Sequence, residues 1–362
     1  MSLTFPSSGR PGATNTLVDV AGLRVGHAQR TGDGWLSGTT VVLAPPGGAV
    51  AGVDVRGGGP GTRETDLLDP RNGVERVHGV LLSGGSAYGL ASATGVVRRM
   101  AEDGVGLLVG PARDILVPIL PGAVVFDLGR VGDASLHPGE ELGAAAYDDA
   151  HDGRVQQGSV GAGTGTVVGT LRGGIGSASA VLDDGTTVAA LAVVNAVGAP
   201  FDPRTGELLG AALGFPGEFD VGRPDPDEVA RVVAAAAAGP TGPLLHTTLG
   251  VVATDAALTK AQAGKLAAVA HDGMARAIRP VHSMFDGDTV FGLATGERAA
   301  PDPLAFHTVL AASADVFARA VAHGVLAATS VQTPAGRWLA YRDAFPSAFR
   351  SAPPSTLPGA PA

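Results

Sequence analysis

Few residues in this chain could carry chemistry, and they are scattered. Thr247 and Thr248 stand together where a Gly/Pro loop, residues 239–243, leads through Leu244-Leu245-His246 into the apolar run Leu249 to Ala253. A threonine hydroxyl is a useful nucleophile only if a base removes its proton, and threonine at a strand start is otherwise ordinary. Gly84-Gly85-Ser86-Ala87-Tyr88-Gly89 follows an apolar segment but misses the G-x-S-x-G spacing of a nucleophile elbow by one residue. Ser86 therefore reads as a helix N-cap in a glycine turn. The Gly158 to Gly165 run fails the G-x-G-x-x-G register, and no phosphate-loop lysine exists. Its glycines read as allowing close backbone approach. Nine histidines form no H-E-x-x-H or other ligand-spaced cluster, so neither metal nor cofactor is expected. His271 and His282 fall near the threonines in sequence and read as core or surface residues. Phe285-Asp286-Gly287-Asp288-Thr289 is an acidic turn too short for a calcium loop.

The elements that must position these residues follow from patterning. Strands are predicted at Leu17–Val25, Thr39–Leu43, Ala51–Val55, Gly79–Leu82, Gly106–Val109, Val124–Leu128 and Asp288–Leu293, with a buried strand after Thr248. Ala178–Leu182 and Thr187–Val194 flank Asp183-Asp184-Gly185, a tight-turn sequence, and form a hairpin with Asn195 at its far end. Helices are predicted at Ala87–Glu102, Pro138–Ala150, Glu228–Ala238, Thr259–Ile278 and Leu304–Ala328, with Thr254-Asp255 available as a cap. Strands and helices without regular βαβ alternation, and alanine-rich helices needing sheet faces, imply an α+β layered sandwich.

Composition narrows the function. The chain of 362 residues can bury a large core, built from Ala, Val and Leu because aromatics are only 4% while Gly numbers 55. A net charge of −9 argues against nucleic acid, which wants a basic face. Cysteine is absent, which excludes disulfides, thiolate metal sites and a cysteine nucleophile and suits the cytoplasm. No signal-peptide pattern is read at the N-terminus, and no run reaches the roughly 18 apolar residues of a membrane span. Residues 1–16 are expected to be flexible, 17–350 to form one domain, and 351–362 to form a Pro/Ala/Ser-rich tail.

Taken together, several stretches resemble one family. It is the self-processing hydrolases comprising L-aminopeptidase/D-esterase (DmpA), the β-aminopeptidases and the nylon-oligomer hydrolase NylC. The resemblance rests on Val18-Asp19-Val20-Ala21-Gly22-Leu23-Arg24-Val25-Gly26-His27, the Arg56 to Thr65 loop, and Leu82 to Leu90. It continues through Gly158–Gly165, Arg172–Ser179, Val193-Val194-Asn195-Ala196, Thr247–Ala256, His271-Asp272-Gly273 and Asp286-Gly287-Asp288-Thr289-Val290-Phe291-Gly292. The nylon-oligomer branch is most similar, and the order of the pieces makes the match specific.

The resemblance implies a four-layer αββα sandwich like that of N-terminal-nucleophile hydrolases. It implies a precursor that cuts itself between His246 and Thr247, leaving residues 1–246 and a 116-residue chain (362 − 246) that starts at Thr247. It further implies Thr247 as nucleophile, Asn195 as oxyanion donor, and Asp286 and Asp288 as an acidic pair holding the new ammonium. Small peptides or amide oligomers are the implied substrates, and a homo-oligomer, expected as a tetramer, is the implied assembly. Two departures stand out. Arg172 occupies the family's lysine position in L-R-G-G-I-G; it can stabilise an oxyanion or hold a carboxylate but cannot shuttle protons. His246 precedes the cut where relatives carry Asn or Gly, which is expected to change the cleavage rate more than to abolish cleavage. An acyltransferase of the ornithine-acyltransferase type, or an uncut binding protein, are the alternatives.

Overall fold

The computed structural model describes residues 9–112, 114–131, 133–237 and 245–349. The loop expected at 239–243 and the tail from 351 lie outside these residues.

Two sheets carry the site. One has five strands in the order Arg24–Gly32, Trp35–Leu43, Gly79–Ser83, Gly122–Val124, Thr62–Arg63. The other has six, in the order Ile175–Val181, Thr187–Val193, Leu249–Ala256, Thr289–Arg298, Ala49–Val55, Arg76–Val77. Helices Ser92–Glu102 and Glu140–Asp148 cover the first sheet, while Lys260–Ala277 and Pro303–Ala327 cover the second.

Residue alternation along the strands explains this layering. Leu249, Val251 and Ala253 point between the sheets, together with Val42, Val80 and Phe291. Val252 and Ala256 point the other way, towards Leu266, Ala270 and Phe317 on the covering helices. A strand buried on both faces needs a continuous apolar run. In Trp35–Leu43, Val41 and Leu43 instead meet Val96, Met100, Leu142 and Ala146 of the first helix pair. The architecture is therefore helix, sheet, sheet, helix. Small residues let the layers approach: a methyl on Gly176 would collide with the Ala320 carbonyl and the Gly324 amide.

The hairpin forms as its turn sequence requires, with Gly185 at φ +83°. Several boundaries differ from the sequence reading. Leu17–Val25 is not one strand: Leu17–Asp19 curls into a 3-10 turn, because the Asp19 carboxylate accepts the Thr14 and Thr16 amides. Within the lead expected to be flexible, Arg10 bonds Val181 in both directions and Thr16 is fully buried. Val124–Leu128 stops as a strand at Val124, and Asp127 turns inward. Thr254 and Asp255 stay in their strand, and Thr259 caps the next helix in a capping box with Gln262. Ser86 is no N-cap; it sits at φ +51° with no capping bond, and Asp127 Oδ1 accepts the Gly85 amide at 2.7 Å. Pro303–Ala327 is, by length and composition, long and apolar enough to cross a membrane, contrary to the reading of short apolar runs; in the fold it is a core helix.

Candidate active site

Sheet register builds the site. Val193 pairs with Leu249 in antiparallel register, which carries Asn195, two residues beyond Val193, up to Thr248. The Thr248 hydroxyl completes the ladder there, donating to the Asn195 carbonyl at 3.2 Å. On the other side Leu249 pairs in parallel with Thr289, which sets the Asp286–Asp288 turn against His246 and Thr247. The His246 amide donates to the Phe285 carbonyl at 2.9 Å, and the Gly287 amide to the His246 carbonyl at 3.0 Å.

Thr247 is 4% exposed, and its hydroxyl donates to the carbonyl oxygen of His246 at 2.6 Å. Gly287 is needed beside it: a Cβ there would stand 2.6 Å from Thr247 Oγ1 and 2.7 Å from the Gly59 carbonyl oxygen. Asp288 Oδ1 accepts the Thr248 amide at 2.8 Å, while Oδ2 accepts the His282 amide at 3.1 Å and lies 2.8 Å from His282 Nδ1. Asp286 Oδ2 accepts the Ser283 amide and hydroxyl at 2.9 and 2.6 Å. Both carboxylates are buried, and among the described residues no lysine or arginine bridges either one. Such a pair attracts an ammonium group.

Asn195 is fully buried. Its Oδ1 accepts from Arg130 Nη1 at 2.8 Å and from the Val167 amide at 3.1 Å. Two unambiguous donors fix the amide orientation. Nδ2 gives one hydrogen to the Phe126 carbonyl at 3.2 Å and retains a second. Arg130 also donates to the Gly165 carbonyl.

Behind Asn195 lie two arginines and one carboxylate. Burial pulls Arg130 down to about 10, opposed by Asp127 and reinforced by the nearby positive Arg172. Burial likewise pulls Arg172 down to about 10, opposed by Asp127. Both stay cationic at neutral pH. Burial raises the Asp127 carboxyl, against bonds from the Ser37 hydroxyl and the Gly85 amide and the charge of Arg130. Arg172 itself is held by the Thr164 carbonyl at 2.5 Å, and by Ser159 Oγ and the Thr329 carbonyl, each at 3.2 Å. Its bonds go to none of the other candidate residues.

The fold thus brings Thr247, His246, Asn195, Asp286 and Asp288 together; Arg172 pairs with Val167, whose amide bonds Asn195 Oδ1, but itself bonds none of them. The sequence reading missed Arg130, Asp127 and Ser283, which lie in loops without a motif, and treated His282 as ordinary. The one available signal was arginine and aspartate inside otherwise apolar loop sequence, Val124-Val125-Phe126-Asp127-Leu128-Gly129-Arg130.

These features define a four-layer αββα fold of the N-terminal-nucleophile hydrolase type. A β-aminopeptidase of Burkholderia sp. superposes with TM-score 0.71 at 22% identity, covering 94% of this chain and 96% of that one. The L-aminopeptidase D-Ala-esterase/amidase of Ochrobactrum anthropi gives 0.68 at 23% identity, covering 93% of each chain. An uncharacterized aminopeptidase of Mycobacterium tuberculosis (strain ATCC 25618 / H37Rv) is 47% identical over 357 residues, 93% of this chain and 100% of that one. The 6-aminohexanoate-oligomer endohydrolase of Kocuria sp. (strain KY2) is 30% identical over 290 residues, 77% of this chain and 74% of that one. Residues 15–339 match the model of peptidase family S58. The chain belongs to that family and is a hydrolase of amide bonds.

Proposed function

We propose that the chain is a self-cleaving amide hydrolase with Thr247 as its N-terminal nucleophile, acting on small peptides or amide oligomers. The observation that carries this reading is the Thr247 hydroxyl lying 2.6 Å from the carbonyl oxygen of the His246–Thr247 bond.

Attack of Oγ1 on that carbonyl carbon moves the acyl group from nitrogen to oxygen. Water then hydrolyses the ester, frees the His246 carboxylate and leaves Thr247 with a free α-amine. An α-amine has a pKa of about 7.7–8.0, so it is partly neutral near pH 7 and can take the hydroxyl proton. Asp286 and Asp288 hold its ammonium form. In turnover Thr247 Oγ1 attacks the substrate carbonyl, the second hydrogen of Asn195 Nδ2 meets the oxyanion, and the substrate amine departs with a proton. Water hydrolyses the acyl-enzyme. The cationic pair Arg130 and Arg172, only partly offset by Asp127, favours negative charge near Asn195. Leu245, Met284 and Phe285, 46%, 78% and 46% exposed, offer an apolar surface beside the cut for the substrate's aliphatic part.

Intact mass under denaturing conditions tests the reading. The expected result is two chains, the 116-residue one beginning at Thr247, and a single uncut chain for Thr247→Ala. An uncut wild-type chain that hydrolyses amides would sink it. Assembly as a homo-oligomer in the cytoplasm belongs to the same proposal; light scattering of the processed protein and fractionation of cells test those parts.

A further inference from the structure

In the proposed mechanism an oxyanion forms twice, once in self-cleavage and once in turnover. In self-cleavage the charge develops on the His246 carbonyl oxygen, to which the Thr247 hydroxyl donates at 2.6 Å. The Gly287 amide also donates to that oxygen, at 3.0 Å. Asn195 does not bond it. Its Nδ2 goes to the Phe126 carbonyl, and its other bonds go to Arg130, Val167 and Thr248.

The Gly287 amide belongs to a peptide unit fixed at both ends. The carbonyl of the same unit, on Asp286, accepts the Gly59 amide at 2.9 Å. The two bonds polarise the peptide in one direction, which strengthens its N–H as a donor. The surrounding turn is pinned as well. Ser283 donates its amide and hydroxyl to Asp286 Oδ2, the Thr289 hydroxyl donates to the Gly287 carbonyl at 2.9 Å, and Asp288 accepts the Thr248 amide. The donor is therefore in place before charge appears, which is what makes an oxyanion donor effective. Need for it is high here. Asp286 and Asp288 flank Gly287, and a third negative charge beside two buried carboxylates is costly.

We propose that the Gly287 N–H is the oxyanion donor of self-cleavage and that Asn195 is not required for that step. The inference rests on Thr247 as the self-cleaving nucleophile. Oγ1 bonds the His246 carbonyl carbon, and the carbonyl oxygen takes the negative charge against the Gly287 N–H. The C–N bond to Thr247 then breaks, and the hydroxyl proton ends on the Thr247 nitrogen. Gly287 is thus catalytic through its backbone. The chain makes its nucleophile with one donor and uses that nucleophile with another.

The test is cell-free synthesis of the full chain with glycolic acid at position 287, which replaces the amide N–H by an ester oxygen and changes no side chain. Intact mass over time follows the two products, residues 1–246 and 247–362. The ester chain is expected to cut roughly 100-fold more slowly than wild type, the usual loss for one oxyanion donor. The same ester at Gly185, whose amide bonds the Leu182 carbonyl in the remote hairpin turn, is expected to leave cutting unchanged. Asn195→Ala is expected to slow cutting less than tenfold while losing amide turnover. Slowing of the Gly287 ester by less than tenfold, equal slowing by the Gly185 ester, or slowing of Asn195→Ala by tenfold or more would overturn the proposal. The Asn195→Ala result does not depend on any ester chain folding. A wild-type chain that never cuts sinks the Thr247 reading and this inference together, whereas wild type and Gly287 ester cutting alike at Thr247 sink the donor alone.

Discussion

Arg130 donates to Asn195 Oδ1 at 2.8 Å, and that bond decides which way the Asn195 amide faces. With Oδ1 taken by two donors, Nδ2 keeps one hydrogen beyond its bond to the Phe126 carbonyl, and in the proposed mechanism that hydrogen meets the oxyanion. Asn195→Ala is expected to lower kcat by roughly 100- to 1,000-fold, the usual loss for one oxyanion donor. Arg130→Met should lower kcat at least tenfold with little change in KM, since it acts through Asn195. A pure KM effect from Arg130→Met would refute the positioning role.

Gly287 lies closer to Thr247, the proposed nucleophile, than any side chain would allow. Gly287→Ala places a methyl against Thr247 Oγ1 and the Gly59 backbone. Overpacking of this kind costs about 1–3 kcal/mol, and here it must move the hydroxyl or the turn. Mass spectrometry over time should show self-cleavage slowed at least tenfold in a folded protein. Cleavage at the wild-type rate would show that the turn gives way without moving Thr247.

Asp288 links Thr248 to His282 by accepting from both. In Asp288→Asn one acceptor oxygen becomes an amide donor that must face a donor already present. Self-cleavage and amide hydrolysis should both fall at least tenfold, while circular dichroism stays unchanged. Equal activity in the variant would remove Asp288 from the machinery.

His271 ties stability to pH. It is fully buried; burial lowers it from 6.5 to about 4, only partly opposed by its contact with the Asp54 carbonyl oxygen. Above pH 6.5 the ring is neutral whether folded or unfolded. Between 6.5 and 4 the unfolded chain takes up the proton first, so stability falls as pH drops, by at most about 1.4 kcal/mol per unit. Denaturant unfolding of wild type and His271→Gln across this window should show a steeper slope for wild type. Parallel slopes would contradict it.

Glu218 closes the N-terminal segment onto helix Pro303–Ala327. It takes two bonds from Arg319, at 2.7 and 2.8 Å, and contacts His323, while Asn15 reaches both Glu218 and Arg319. Its carboxyl lies far below the usual carboxylate range: burial pushes it up, and His323 and Arg319 more than reverse that. Arg319→Met leaves this carboxylate buried without its main partner, and calorimetric unfolding should register a loss of about 3–5 kcal/mol. A loss below 1 kcal/mol would mean the cluster stabilises little.

Much of this protein was legible from its own residues, and the reason is local. A short apolar run after Thr248 reads as a strand buried on both faces, and Asp183-Asp184-Gly185 reads as a tight turn. Alanine and glycine in such numbers demand thin, closely stacked layers. The ordered motifs around Asn195, Thr247 and Asp286 mark the family by themselves. What they left undecided was register and reach. The pairing of Val193 with Leu249, and of Leu249 with Thr289, joins segments dozens of residues apart, and no local pattern specifies which strand lies beside which. Arg130 belongs to no periodic element; it matters only because sheet packing carries its loop to the Asn195 amide. Arg172 read as a substituted catalytic lysine, yet its three acceptors and its unpaired Nη1 arise from segments that meet only in the folded chain. Local chemistry determined the elements and named the reactive groups, and long-range packing decided which of those groups face one another.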